Sequence, residues 1–197
     1  MNFEPIFLGV ESLRTFTQRV FEGLGVSEED AWIAADVLME ADLRGFDCHG
    51  VSRLFPSYNR IRKGLIETKP NIDITWVTPT TGCCDGGNGL GMVVGYRAMK
   101  ACVSRAEEFG AAFLAVSRSN HFGIAGYYSS LALAENMIGI TMSNASPRVV
   151  PTGEQRESWE PTRSVWLSRE GRSLPSFWIW RQARYLAENS TWRYGKG

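Results

Sequence analysis

The two histidines of the chain are the residues best suited to proton transfer near neutral pH. His121 lies in segment 117–128, where an apolar run that predicts a buried strand gives way to an apolar segment with helical spacing. Glycines in this segment let a ligand approach the backbone, and neighbouring hydroxyl and amide groups can orient it. The sequence is equally compatible with a proton-transfer group and with a structural histidine satisfied by a nearby carbonyl.

A second candidate stretch, residues 44–53, joins two predicted helices. His49 and Arg53 lie four residues apart at the start of a helix, so both side chains can project to one side. Arg53 is then suited to bind a carboxylate through two parallel N–H groups. The alternative is a polar loop that caps helices. A nucleophilic pair of Cys48 and His49 is disfavoured, because neighbours in sequence do not normally meet at hydrogen-bonding distance.

Apolar periodicity predicts the elements that must position these side chains. The helical patterns lie at 10–24, from the N-cap Ser27 to about Gly45, at 51–64, and at 124–134. The strand patterns lie at 72–77, 111–116 and 138–143. The strand, helix, strand order around His121 predicts an α/β unit. On the helix at 51–64, the basic outer face that contains Arg60 is interpreted as solvated surface.

The glycine-rich segment 85–91 comes before a helical pattern that runs to about Val103. Free amides at a helix N-terminus suit a phosphate group. However, the segment has neither the glycine spacing of a dinucleotide fingerprint nor a Walker lysine. A glycine-rich turn is therefore the preferred interpretation.

Composition narrows the class of protein. With 197 residues, 44% of them apolar, the chain is long enough for one packed domain. Acidic and basic residues balance at 21 each, which gives no indication of a nucleic-acid or anionic-membrane partner. No apolar run reaches bilayer length, and the N-terminal residues lack a secretory pattern. The four cysteines show no zinc-type spacing. We expect a cytoplasmic protein with free thiols and without a metal site.

Four motifs, in this order, resemble the malate/L-lactate dehydrogenase family, which also holds ureidoglycolate and sulfolactate dehydrogenases. They are DCHGVSR at 47–53, DGGNGLG at 85–91, SNHFGIAG at 119–126 and SNASP at 143–147. The resemblance covers about residues 10–153. It implies an α/β fold that is not a Rossmann fold, with a helical region at 1–70 and an incomplete mixed sheet in a catalytic region at 71–153.

The resemblance also implies an activity: NAD- or NADP-dependent hydride transfer to or from a small 2-hydroxy or 2-keto acid, in a homodimer. Carried onto this chain, it makes His121 the general acid/base. His49 and Arg53 match positions that face the substrate, and Arg53 suits its carboxylate. The positions expected near the cofactor are Ser143, Asn144 and Ser146. The resemblance distinguishes neither NAD from NADP nor one hydroxy acid from another.

The chain departs from the family pattern at one site position and throughout residues 154–197. The family usually has serine at the position of Cys48, and a thiol is a weaker hydrogen-bonding group. The last part of the chain has poor apolar periodicity and holds five of the seven tryptophans: Trp159, Trp166, Trp178, Trp180 and Trp192. It contains neither the Gly-Thr-Asn-Pro nor the Leu-Asp-Met-Ala-Thr-Ser motif that the family has there.

A shifted reading frame recovers both motifs. In this frame each codon consists of the third base of one residue's codon and the first two bases of the next residue's codon. The codons of Trp159 and Glu160 must then together encode glycine. In the same frame Trp178 and Ile179 must give aspartate, and permitted codons complete both motifs. We interpret the tail from about Glu154 as a frameshifted translation of the family's C-terminal half, with a natural alternative tail as the competing explanation.

The frameshift hypothesis has physical consequences. The chain would be truncated, with a poorly ordered tail at 154–197, unpaired strand edges and exposed apolar surface. We expect the chain as written to have little or no dehydrogenase activity. The second function hypothesis is accordingly a catalytically inactive fragment.

Overall fold

A computed structural model describes residues 8–144 in full, together with the backbone of two later strands. The elements of the first part are helix α1 (Val10–Gly23), helix α2 (Glu28–Leu43), two 3-10 turns (Asp47–His49 and Val51–Arg53) and helix α3 (Leu54–Arg62). The elements of the second part are β1 (Asp73–Trp76), β2 (Thr81–Gly89), α4 (Gly91–Phe109), β3 (Phe113–Ser119), α5 (Ala125–Ala134), β4 (Gly139–Ser143), β5 (Trp159–Ser168) and β6 (Ser176–Tyr185).

A local sequence signal explains where helix α2 begins. The hydroxyl of Ser27 accepts a hydrogen bond from the Asp30 amide at 3.3 Å, and three acidic residues follow in the first turn of α2. The prediction of a single helix over 51–64 was wrong at its start, because a 3-10 turn precedes α3. There the Val51 amide donates to the Asp42 carboxylate at 2.9 Å, which ties this turn to the end of α2.

The first sheet has the strand order β1-β2-β3 and is mixed. Strands β1 and β2 are antiparallel, whereas β2 and β3 are parallel. The interpretation of segment 85–91 as a turn was wrong, because most of it belongs to the central strand β2. A Cβ at Gly86 would lie 2.9 Å from the Arg118 carbonyl and from Val94. Glycine at this position lets β2 pack closely against both β3 and α4. Strand propensities of single residues do not predict such a glycine.

One hydrophobic core joins the helical region to the sheet region. It contains buried side chains from α1, α2, α4, α5 and the start of α3, among them Phe21, Leu38, Met92, Tyr128 and Leu54. The α/β fold class and the mixed sheet predicted from the sequence are therefore confirmed. In the described part of the chain all four cysteines are free thiols, as expected.

The second sheet has the order β4-β5-β6, with both pairs antiparallel. Strands β5 and β6 fall within the predicted tail at 154–197, and the rest of that tail lies outside the described residues. Apolar side chains are exposed on β3 and β4, where Phe113 is 62% and Met142 is 65% exposed. Of the helices that the structure describes, none is both long and apolar enough to span a bilayer.

Candidate functional site

The two histidines predicted in separate motifs meet in the structure. The rings of His49 and His121 stack with their centroids 5.6 Å apart and their planes 25° apart. His49 ends the first 3-10 turn, and His121 lies in the loop between β3 and α5. The strand-to-helix position predicted for His121 is confirmed, and the stacking brings the motif at 47–53 to the motif at 119–126.

The His121 ring is oriented by the loop that follows it. The Gly123 amide donates to His121 Nδ1 at 3.3 Å, and this contact orients the ring. Gly123 has a φ of +79°, which glycine adopts without strain. The hydroxyl of the fully buried Tyr128 donates to the Phe122 carbonyl, and burial raises the pKa of Tyr128, which keeps this hydroxyl a donor.

Asn120, immediately before His121, anchors the start of the same loop. Its Nδ2 donates to the carbonyl of Gly89 at 2.9 Å and to both the carbonyl and Oδ1 of Asn88 at 3.1 Å. A Cβ at Gly91 would lie 2.0 Å from the Asn120 carbonyl, so glycine is required where α4 begins. The glycine-rich segment therefore serves to hold the His121 loop.

The basic face of α3 also contacts this loop. Arg60 Nη2 donates to Asn120 Oδ1 at 3.0 Å. The interpretation of Arg60 as solvated surface was therefore incomplete: the residue is exposed, but its side chain contacts the residue before His121. Sequence periodicity could not reveal this contact, because it joins elements far apart in the chain.

Arg53 ends the second 3-10 turn, four residues after His49 in the chain. Its Nε donates to the Cys48 carbonyl. Within the described residues Nη1 and Nη2 make no hydrogen bond, and these two groups form the edge of a guanidinium that binds a carboxylate in parallel. The Ser57 hydroxyl donates to the Arg53 carbonyl at 2.9 Å and fixes the turn onto α3.

Cys48 contacts its neighbour His49, contrary to the expectation from sequence. Cys48 Sγ lies 2.9 Å from His49 Nδ1. The reason for excluding this contact was wrong, because an exposed thiol on a short 3-10 turn is free to rotate toward the adjacent ring. The contact gives His49 a sulfur neighbour within its own 3-10 turn.

The residues expected near a cofactor lie at the C-terminal end of β4. Ser143 is the last residue of this strand, and its hydroxyl donates to the Asn144 carbonyl at 2.9 Å. Strand β4 is held on α5 by a hydrogen bond between the hydroxyls of Ser129 and Thr141 at 2.8 Å. Ser146 lies outside the described residues. Through α5, the strand end and the His121 loop share one supporting element.

The end of β3 next to the His121 loop carries an ion pair with β2. Arg118 Nη1 lies 2.9 Å from Asp85 Oδ2, and the Asp85 carboxylate accepts the Gly87 amide at 2.8 Å. The Gly87 hydrogen bond and, after it, the charge of Arg118 lower the pKa of Asp85. Across the described part of the chain, no group of three or more histidine, cysteine or acidic side chains could hold a metal ion.

Fold and site together define an α/β protein with an exposed, oriented histidine and, four residues after its stacking partner, an arginine suited to bind an anion. A histidine of this kind can transfer a proton near neutral pH. The family model described as malate/L-lactate dehydrogenase matches residues 8–159. The chain belongs to the malate/L-lactate dehydrogenase family, whose members are oxidoreductases acting on hydroxy acids.

Individual relatives agree with the family match. The malate dehydrogenase of Pyrococcus abyssi is 48% identical over 143 residues, which are 73% of this chain and 40% of the relative. The malate/(S)-sulfolactate dehydrogenase of Methanothermus fervidus is 44% identical over 149 residues, 75% of this chain and 44% of the relative. The solved structure of malate dehydrogenase from Pyrococcus horikoshii superposes with a TM-score of 0.83 at 39% identity, covering 88% of this chain and 50% of that one. The chain thus spans about half the length of these relatives.

Proposed function

We propose that the site is that of an NAD- or NADP-dependent oxidoreductase that transfers hydride between nicotinamide and a small 2-hydroxy or 2-keto acid. The observation that carries the proposal is the stacking of His49 on His121 at 5.6 Å, in a chain of this family. The stacking joins the segment that holds Arg53 to the loop that holds the proposed acid/base. In a 2-hydroxy acid the carboxylate and the reacting hydroxyl are on adjacent carbons. The arginine that binds the carboxylate and the histidine that acts as acid/base must therefore lie close together.

The proposed roles follow from the chemistry of each side chain. His121 takes the hydroxyl proton when the substrate is oxidised and returns a proton to the carbonyl oxygen when it is reduced. Arg53 binds the substrate carboxylate through Nη1 and Nη2, because its Nε already holds the Cys48 carbonyl. His49, whose ring stacks on that of His121, is assigned to the substrate side from its motif.

The groups at the end of β4 suit a nicotinamide cofactor chemically. The Ser143 hydroxyl and the Asn144 amide can hydrogen-bond the carboxamide or the ribose hydroxyls of either NAD or NADP. Ser146 is assigned to the same task from its motif alone. When bound, the nicotinamide supplies or accepts the hydride. From the family resemblance we further propose that the protein is a cytoplasmic homodimer. Its regions would be a helical region at 1–70, a catalytic region at 71–153 and an aberrant tail at 154–197.

A catalytically inactive fragment is the second candidate. It is supported by the departure of residues 154–197 from the family pattern. The match to the family model ends at residue 159, close to the position where we propose a frameshift. In this case the site residues are inherited but the chain does not turn over substrate by itself.

Cofactor binding separates the two candidates. The purified 197-residue protein is titrated with NADH and with NADPH while the quenching of tryptophan fluorescence is followed. Saturable binding of either nucleotide supports the dehydrogenase and identifies its preferred cofactor. An unchanged signal at concentrations far above those typical of dehydrogenases supports the inactive fragment.

The proposed frameshift has its own test, which does not depend on activity. Genomic DNA and transcript are sequenced across the codons for Gly153 to Glu160. A base gained or lost relative to this reading confirms the frameshift. If the sequence is unchanged in both, the tail is genuine and the chain is a shorter relative of the family.

A further inference from the structure

We propose that Arg60 is a positioning residue for His121 and acts through the side chain of Asn120. The proposal rests on the function proposed above, since it concerns the placement of the proposed acid/base. Its starting observation is the hydrogen bond of 3.0 Å from Arg60 Nη2 to Asn120 Oδ1. This bond joins helix α3 to the residue that precedes His121.

The hydrogen bonds of Asn120 allow only one orientation of its amide. Oδ1 accepts from Arg60, while Nδ2 donates to oxygens of Asn88 and Gly89 at 2.9 to 3.1 Å. A rotation of the amide by half a turn would place Nδ2 against the guanidinium and Oδ1 against carbonyl oxygens, which repel it. Arg60 thus completes a set of contacts that fixes the amide and, through it, the backbone next to His121.

The Asn88 side of this contact set is itself held in place. Asn88 has a φ of +59°, and its Nδ2 donates to the Leu65 carbonyl at 3.2 Å. The Glu67 amide donates to the Asn88 carbonyl at 3.0 Å. The segment that follows α3 is therefore tied to β2 at the same point. Asn120 is therefore linked to helix α3 through Arg60 and to the segment after α3 through Asn88.

Helix α3 links the two proposed functional groups. Arg53 lies at its N-terminal end, and Arg60 lies two turns further along the same helix. The buried side chains of Leu54 and Ile61 pack α3 into the core. Because the helix is rigid over this length, the contact from Arg60 to Asn120 sets the position of the His121 loop relative to Arg53. Loss of the contact should loosen the spacing between acid/base and carboxylate clamp, with little effect on the core.

The experiment uses the fact that the chain has only two histidines. The imidazole Hε1 resonances of the full chain are recorded by NMR without cofactor or substrate, and His49→Gln assigns them. The variants are Arg60→Ala, Arg60→Lys, Asn120→Ala and the double variant of Arg60→Ala with Asn120→Ala. Arg62→Ala is the matched control, because Arg62 is exposed on the same helix.

We expect Arg60→Ala to displace the His121 resonance by more than its linewidth, and Arg62→Ala to leave it in place. Arg60→Lys should restore part of the displacement. In the Asn120→Ala background, Arg60→Ala should cause no additional displacement, since the effect passes through Asn120. If Asn120→Ala does not fold, the comparison of the two alanine variants and the lysine variant decides alone.

Two results would overturn the proposal. One is equal behaviour of Arg60→Ala and Arg62→Ala. The other is an undiminished effect of Arg60→Ala when Asn120 is already alanine, which would mean that the charge acts on the ring directly. Because no cofactor is present, a failure here is distinct from a failure of the proposed function, which is read from nucleotide binding.

Discussion

The hydroxyl of Tyr127 donates a hydrogen bond of 2.8 Å to the carboxylate of Asp36. Tyr127 lies in α5, just after the His121 loop, and Asp36 lies in α2, which ends shortly before His49. The bond therefore connects the two elements that support the stacked histidines. Arg14 of α1 approaches the same carboxylate at 3.5 Å. Burial and the Asp36 carboxylate raise the pKa of Tyr127, so the hydroxyl remains a donor at physiological pH.

Tyr127→Phe should destabilise the protein by about 1 to 3 kcal/mol, because the partly buried Asp36 carboxylate loses a donor. Urea unfolding followed by circular dichroism measures the change. Tyr58→Phe, at an exposed position of α3, is the control and should stay within about 0.5 kcal/mol of the original protein. Equal unfolding free energies for the two variants would show that the hydrogen bond contributes nothing.

Asp85→Asn should lower stability at neutral pH, with an effect that fades in acid. The pKa of Asp85 is lowered in the folded state, first by the Gly87 amide and then by Arg118. Its contribution is therefore present above the unfolded pKa, about 3.9, and is lost as the pH falls through the lower folded value. Thermal unfolding from pH 7 to pH 2.5 should show the two curves converging at the acid end. A difference that grows on acidification would contradict this sign. Glu107→Gln, exposed on α4, is the control.

The cysteines should divide into two classes of reactivity. Cys48 and Cys83 are exposed, whereas Cys84 is buried and Cys102 is partly buried. Burial raises the pKa of Cys102 to about 11, so at pH 8 its thiol is almost entirely protonated. Mass spectrometry after timed iodoacetamide treatment should find the two exposed residues labelled well before the other two. Labelling of Cys102 as fast as Cys48 would contradict the structure.

The exposed face of β3 that carries Phe113 should promote self-association rather than stability. Phe113 is 62% exposed. Phe113→Ser should therefore leave the unfolding free energy nearly unchanged and should reduce association in light scattering. Leu38→Ala, in the core, should by contrast cost about 2 to 5 kcal/mol. A large loss of stability in Phe113→Ser would show that this face is covered.

Sequence patterns predicted the features that depend on residues near one another in the chain. The cap at Ser27, the apolar stripes of the helices and the position of His121 between a strand and a helix all depend on residues close together in the chain. The fold class followed from the order of these elements. Strand β2 was missed, because its glycines are selected by the close approach of Arg118 and Val94, which are distant in sequence.

The contacts that complete the site were less accessible from the sequence. The link from Arg60 to Asn120 crosses from α3 to the loop after β3, and a basic helix face gives no signal for it. The contact of Cys48 with His49 depends on the rotation of one exposed side chain. The resemblance of four motifs predicted that His49, Arg53 and His121 belong to one site, while the stacking of the two rings required coordinates.

The central claim is that His121 is the acid/base of a nicotinamide-dependent dehydrogenase. The most direct measurement is the rate of NADH and NADPH oxidation with the 2-keto acids of malate and sulfolactate, in the protein expressed with the proposed frameshift corrected and in its His121→Gln variant. The account predicts measurable turnover that falls by about 10² to 10⁴-fold in the variant, the usual contribution of a positioned acid/base. Equal rates in the two proteins, or no turnover with either nucleotide in the corrected protein, would contradict it.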